Sequence, residues 1–108
     1  MTVKDVMAAC GFTAAALPDP DREISGVYIG DLLSWVMGRA RADQAWITIM
    51  SNRNIVAVAT LADTACILLA EGVTPDEGVA ELAAQKGVNI LQSTLSAYEI
   101  ALALRDAL

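Results

Sequence analysis

The polar residues that could do chemistry in this 108-residue chain fall into short runs, each following an apolar stretch. They are Gly30-Asp31, Ser51-Asn52-Arg53-Asn54, Glu71-Gly72 and Ser93-Thr94. Arg53, with two asparagines and a serine at a helix start, could hold a carboxylate or phosphate through charge-assisted hydrogen bonds. The same four residues could equally cap the helix and solvate its turn. Asp31, Glu71 and Glu77 are the carboxylates available for acid or base work. The chain has no histidine, and no nucleophile stands beside a base, so capping accounts for Asp31 and Glu77 more simply than catalysis does. Cys10 and Cys66 form no CxxC pair and read as buried, reduced thiols, with no metal or cofactor expected. Gly26 and Gly30 flank Tyr28 without the GxGxxG spacing of a dinucleotide fingerprint.

Composition narrows the partners. Seven basic and 13 acidic residues leave a net charge of −6, and no basic run overrides it, so nucleic acid is excluded as an expected partner. A chain 56% hydrophobic and only 19% charged can bury enough surface to offset its ordering entropy, which excludes a disordered tail. No apolar stretch approaches the roughly 18 residues of a membrane span, and Met1 to Asp5 lack the pattern of an export signal. The expectation is a cytoplasmic domain with no membrane partner. So much apolar surface on a small domain also predicts a homodimer.

Strand and helix signals alternate along the chain. Thr2 and Asp5 have capping-box spacing ahead of a short helix that Gly11 stops, and Leu17 to Asp21 is a proline-rich linker. Glu23–Ile29 reads as a strand, with Asp31 as N-cap of a helix over Leu32–Gly38 whose apolar face is Leu32, Leu33, Val36 and Met37. Trp46–Met50 is a second strand. Ile55–Ala62 fits both a strand and the i, i+3, i+4, i+7 spacing of a helix, and helix is chosen because two strands so close to Ala65–Leu69 would need a tighter turn. Thr74, Pro75 and Glu77 satisfy N-cap, N1 and N3 of a helix that ends at Gly87. Val88–Leu91 is a further strand, and Ser96 with Glu99 caps a last helix to Ala107. Trp46 reads as core. Trp35, off the apolar face, reads as core or interface. Units of strand, polar loop and helix recur about every twenty residues, which predicts one α/β domain over residues 1–108: a layered, mostly parallel sheet of about four strands.

In such a sheet the loops after the strands meet at one carboxyl edge, where ligands bind. The candidate ligand residues are therefore Asp31, Ser51, Asn52, Arg53, Asn54, Glu71, Gly72 and Thr94, with no catalytic or metal residue among them. The span from Trp46 to Leu104, through Trp-Ile-Thr-Ile-Met-Ser-Asn-Arg-Asn-Ile, Cys-Ile-Leu-Leu-Ala-Glu-Gly-Val-Thr-Pro-Asp and Val-Asn-Ile-Leu-Gln-Ser-Thr-Leu-Ser-Ala-Tyr-Glu, resembles a DRTGG domain. That domain is a regulatory insert in phosphotransacetylases and CBS-domain proteins and is similar in fold to the N-terminal domain of HPr kinase. Gly26 to Leu33 and Asn54 to Ala59 resemble stand-alone bacterial members found beside iron hydrogenase genes. Where the family has Gly-Asp-Arg this chain has Ser51-Asn52-Arg53, and where it has Thr-Gly-Gly this chain has Ala70-Glu71-Gly72. The kinase domain of HPr kinases, with its phosphate loop, has no counterpart here. The resemblance implies a non-catalytic regulatory or ligand-sensing module, linked to hydrogenase or carbon metabolism, that works by self-association or by docking to a protein partner. Arg53 would favour an anionic small molecule or nucleotide. The alternative is a small-molecule enzyme working at the carboxyl edge.

Overall fold

The middle of the chain alternates between apolar strands and alanine-rich helices, and that alternation sets the architecture. In the computed structural model, which describes all residues from Met1 to Leu108, the elements are α1 (Val3–Cys10), β1 (Thr13–Ala16), β2 (Gly26–Ile29), α2 (Leu33–Arg39), β3 (Gln44–Thr48), α3 (Asn54–Ala62), β4 (Cys66–Leu69), α4 (Val79–Lys86), β5 (Ile90–Gln92) and α5 (Ala97–Ala107). Five strands make one sheet in the order β1-β5-β4-β3-β2. β2 to β5 are mutually parallel, and β1 lies antiparallel on β5.

Parallel strands joined by right-handed crossovers put every connecting helix on the same face. α2, α3 and α4 accordingly cover one face through Val36, Ile55, Val58, Ala59, Val79 and Ala83, against Trp46, Ile67, Leu69 and Ile90. α1 and α5 cover the other through Val3, Val6, Ile100 and Leu104, against Ile47, Leu68 and Leu91. Period-two alternation within each strand sends neighbouring side chains to opposite layers, so a strand covered on both sides must be apolar throughout. Cys66, Ile67, Leu68 and Leu69 meet that demand, and all four are buried. Burial pushes the Cys66 thiol up to about 12, which leaves it an inert packing group.

The expected mostly parallel α/β sheet is present, with five strands in place of about four. The extra one is Thr13-Ala14-Ala15-Ala16, whose alanines carry no strand preference of their own. It exists because β5 offers an open edge, and its register shifts between Ala14 and Ala16. Helix α3 forms as expected over the ambiguous run, closed by Asp63 in a left-handed conformation.

Three local expectations fail for tertiary reasons. Helix α4 begins at Val79 behind a left-handed Gly78, not at Pro75, and neither Thr74 nor Glu77 caps it. The Asp76 amide donates to the Ser51 carbonyl at 3.0 Å and the Ser51 hydroxyl to the Asp76 carboxylate at 2.8 Å, so the segment is tied to the loop before α3 instead of opening a helix. Asp31 does not cap α2 either: the N-cap is Leu32, without a side-chain hydrogen bond. Of the four residues on the expected apolar face of α2, only Val36 is buried, while Leu32 and Met37 are exposed, because this seven-residue helix is short and lies at the rim of the sheet.

The two capping boxes at Thr2–Asp5 and Ser96–Glu99 are both closed. Ser96→Ala should therefore lower unfolding stability by about 1 kcal/mol, the usual cost of a lost N-cap. Thr74→Ala should stay within about 0.5 kcal/mol of the parent, as an exposed substitution away from any cap does. Urea denaturation midpoints of the two variants, compared with the parent, check both values.

Candidate functional site

The carboxyl ends of β2, β3, β4 and β5 are laced into one edge by hydrogen bonds between successive loops. The Asp31 carboxylate accepts from the Thr48 hydroxyl at 2.8 Å and from the Ile49 amide at 3.0 Å. The Ala70 amide donates to the Thr48 carbonyl at 3.0 Å. The Glu71 amide donates to the Leu95 carbonyl at 2.8 Å, and the Gly72 amide to the Ser93 carbonyl at 2.9 Å. All the expected loops are thus neighbours along one rim, but their side chains divide among different tasks.

Gly72 and Thr94 come together. With Thr13, Thr74, Gln92 and Ser93 they line an open cavity of about 470 Å³ between the ends of β4 and β5 and the turn from α1 into β1. Hydroxyls, a carboxamide and backbone share its wall with Cys10, Val73 and Leu95, and no Asp, Glu, Lys or Arg lines it. Such a lining suits a ligand that offers hydrogen-bonding groups, as a base or a sugar does. Thr13 escaped the sequence reading because β1 has no local signature, and Gln92 because it closes β5 one residue beyond the expected Val88–Leu91 strand.

Arg53 and Asn54 lie elsewhere, in a groove between α3 and α4, and Arg53 makes no ion pair with Glu71. Asp31, Ser51 and Asn52 are committed to the fold. Asp31 holds β3's exit, Ser51 holds Asp76, and the Asn52 side chain accepts from the Asn54 amide at 2.9 Å, turning the chain into α3. Glu71 is exposed on the rim with φ 62°, and Gly72 follows it with φ 75°.

The chain matches the DRTGG domain over residues 19–107. It belongs to the DRTGG domain family. Among solved structures it is similar to the CBS and DRTGG domains of the regulatory region of Clostridium perfringens pyrophosphatase, a structure complexed with the activator diadenosine tetraphosphate. The TM-score is 0.77 at 12% identity, and the match covers 99% of this chain and 47% of that one, so this chain spans about half of the neighbour's length. No curated protein matches the chain. The family match starts after β1, whereas the structural match takes in nearly the whole chain, so α1 and β1 are part of the shared fold.

The DRTGG comparison gives the backbone at Glu71 a reason. In the sequence resemblance Ala70-Glu71-Gly72 stands against the family's Thr-Gly-Gly, and at Glu71 the chain needs a left-handed residue. Glycine adopts that conformation freely, whereas a side chain there costs about 1 kcal/mol or more. Glu71→Gly should raise unfolding stability by roughly 0.5–1 kcal/mol, part of the relief being lost to the freer unfolded chain. Thermal and urea melts of the variant check the sign, which would be the opposite if the left-handed turn were absent in solution.

Proposed function

We propose that this DRTGG domain is a non-catalytic regulatory module that senses a small molecule and transmits the signal through self-association or a protein partner. The observation that carries the reading is membership of the DRTGG family together with likeness, over 99% of the chain, to a regulatory region complexed with a nucleotide activator. The proposed ligand is a nucleotide-like molecule whose base or sugar enters the cavity at Gly72 and Thr94, with its anionic part pointing out to solvent. The proposed partner belongs to hydrogenase or carbon metabolism, the settings implied by the sequence resemblance.

The self-association surface proposed here lies at the outer end of β2. Leu32 is 59% and Trp35 53% exposed, one helical turn apart, and Ile29 and Ile49 are half-exposed beside them. The Ile49 amide donates to the carboxylate of Asp31, the residue before Leu32. The Arg39 guanidinium stacks on Trp35 at 3.7 Å and gives the patch a polar rim. An apolar core within a polar border is the anatomy of a protein interface.

Two measurements test the reading. Sedimentation should give twice the 11.3 kDa chain mass for the parent and a monomer for Trp35→Glu. Calorimetric titration with diadenosine tetraphosphate and with ATP should show binding without turnover. Filling the cavity by Thr94→Phe should weaken that binding at least about tenfold, a loss of about 1.4 kcal/mol. Glu71→Gln, which removes a rim carboxylate, should leave it equal or tighter. Turnover of either nucleotide, or affinity indifferent to Thr94→Phe, would overturn the assignment.

A further inference from the structure

α3 and α4 are consecutive crossovers between parallel strands, so they run side by side in the same direction on one face of the sheet. Between them lies a groove of about 570 Å³ that shares no residue with the cavity at Gly72 and Thr94. Val56, Ala57, Leu61 and Leu82 give it apolar walls. Arg53 stands where α3 begins and Lys86 where α4 ends, so the two cations mark opposite ends of a groove about as long as the eight-residue α4, roughly 10 Å at 1.5 Å of rise per residue.

The charges suit the groove to an anion. The chain carries 13 acidic residues against 7 basic ones, and of the four basic side chains in no ion pair, Arg39, Arg41, Arg53 and Lys86, two stand on this groove. No carboxylate lines the groove. At the Arg53 end the α3 N-terminus adds its own positive dipole, so a negative group is favoured twice over. At the other end the α4 C-terminus is negative, and Lys86 is the group that makes the site attractive to an anion. An apolar trough with a free cation at each end matches a ligand of the same pattern.

We propose that the α3–α4 groove binds an elongated organic anion with an apolar body and a negative group at each end. Burial of the body along Ala57, Leu61 and Leu82 supplies affinity, and the two cations select for charge at both ends and for length. A monoanion leaves one cation unused. A short dianion cannot reach both.

Amide chemical-shift titrations of the ¹⁵N-labelled chain test this with three probes: suberate, a long α,ω-dicarboxylate; octanoate, of equal length with one carboxylate; and succinate, a short dicarboxylate. Suberate should shift the α3 and α4 amides saturably in the millimolar range, octanoate should bind severalfold more weakly, and succinate should not saturate. Arg53→Gln and Lys86→Gln should each weaken suberate about threefold, the scale of a solvent-exposed ion pair, and each should erase its advantage over octanoate. Both residues are exposed, and an undisturbed amide spectrum confirms that the variants fold. Equal affinity for suberate and octanoate, indifference to both substitutions, or shifts confined to other residues would overturn the proposal. Nucleotide binding at the other cavity moves amides around Gly72 and Thr94, so the fate of one site does not decide the fate of the other.

Discussion

Burial of the central strands on both faces is the constraint from which the rest of this domain follows. β3, β4 and β5 each send alternate side chains into two separate apolar layers, one under α2, α3 and α4 and one under α1 and α5. Each fully buried Leu or Ile contributes roughly 1.5–3 kcal/mol, so neither layer can be lost without the sheet. The need to cover both faces explains why α1 and α5, the two ends of the chain, pack against each other through Val3, Val6, Ile100 and Leu104. A shift of one residue in any of these strands would exchange the two layers, which pins the register.

The two ends of the sheet are built differently. At the amino end, the Arg22 guanidinium donates to the carboxylates of Asp43 and Asp63, each at 2.9 Å, and to the Asp63 carbonyl at 2.6 Å. Burial works against its charge, but the two carboxylates outweigh that effect and hold Arg22 above its ordinary value. Both aspartates are left-handed, with φ 67° and 59°, a conformation that the shared guanidinium helps to maintain. Asn89, buried at the same end, accepts from the Asp19 amide and donates to the carbonyls of Asp19 and Ala65, so the proline-rich linker is tied to the sheet by a fully used carboxamide. At the carboxyl end the links run between backbone and short side chains along the rim, and they leave open the cavity beside Gly72 and Thr94. One end is closed by polar staples, and the other keeps hydroxyls and turns facing solvent. Under the proposed function, that asymmetry keeps the strand ends open to a ligand.

The loops that carry the resemblance serve different tasks in this chain. Ser51 and Asn52 are internal ties, and Glu71 occupies a left-handed position at a steric cost. Gly72, also left-handed, borders the cavity. Arg53, which the motif comparison groups with Glu71, faces instead the seam between two helices. It shares that groove with Lys86, more than thirty residues on and in no motif, so composition and spacing had no means of pairing them.

Much of the fold was legible in the sequence, because the strands β2 to β5 and the helices α1, α3 and α5 are set by short-range patterns. Apolar runs marked the buried strands, helical spacing decided α3, and reciprocal side-chain capping marked Thr2 and Ser96 as helix starts. These signals succeed where local preference and tertiary demand agree. They fail where a contact distant in sequence competes for the same backbone groups. Thr74-Pro75-Asp76-Glu77 has every local mark of a helix start, but Ser51 claims Asp76 first and α4 waits until Val79. Asp31 has the chemistry of a cap, but Thr48 and Ile49 offer better-placed donors across the sheet. Thr13 to Ala16 has no strand preference and becomes one because β5 presents an open edge. The sequence by itself determined which segments must be buried and that the polar loops gather at one rim. Which rim residues share a cavity, and which are used up holding the chain, was decided only by tertiary structure, because a hydrogen-bonding group can serve a ligand only if no nearer partner has already engaged it.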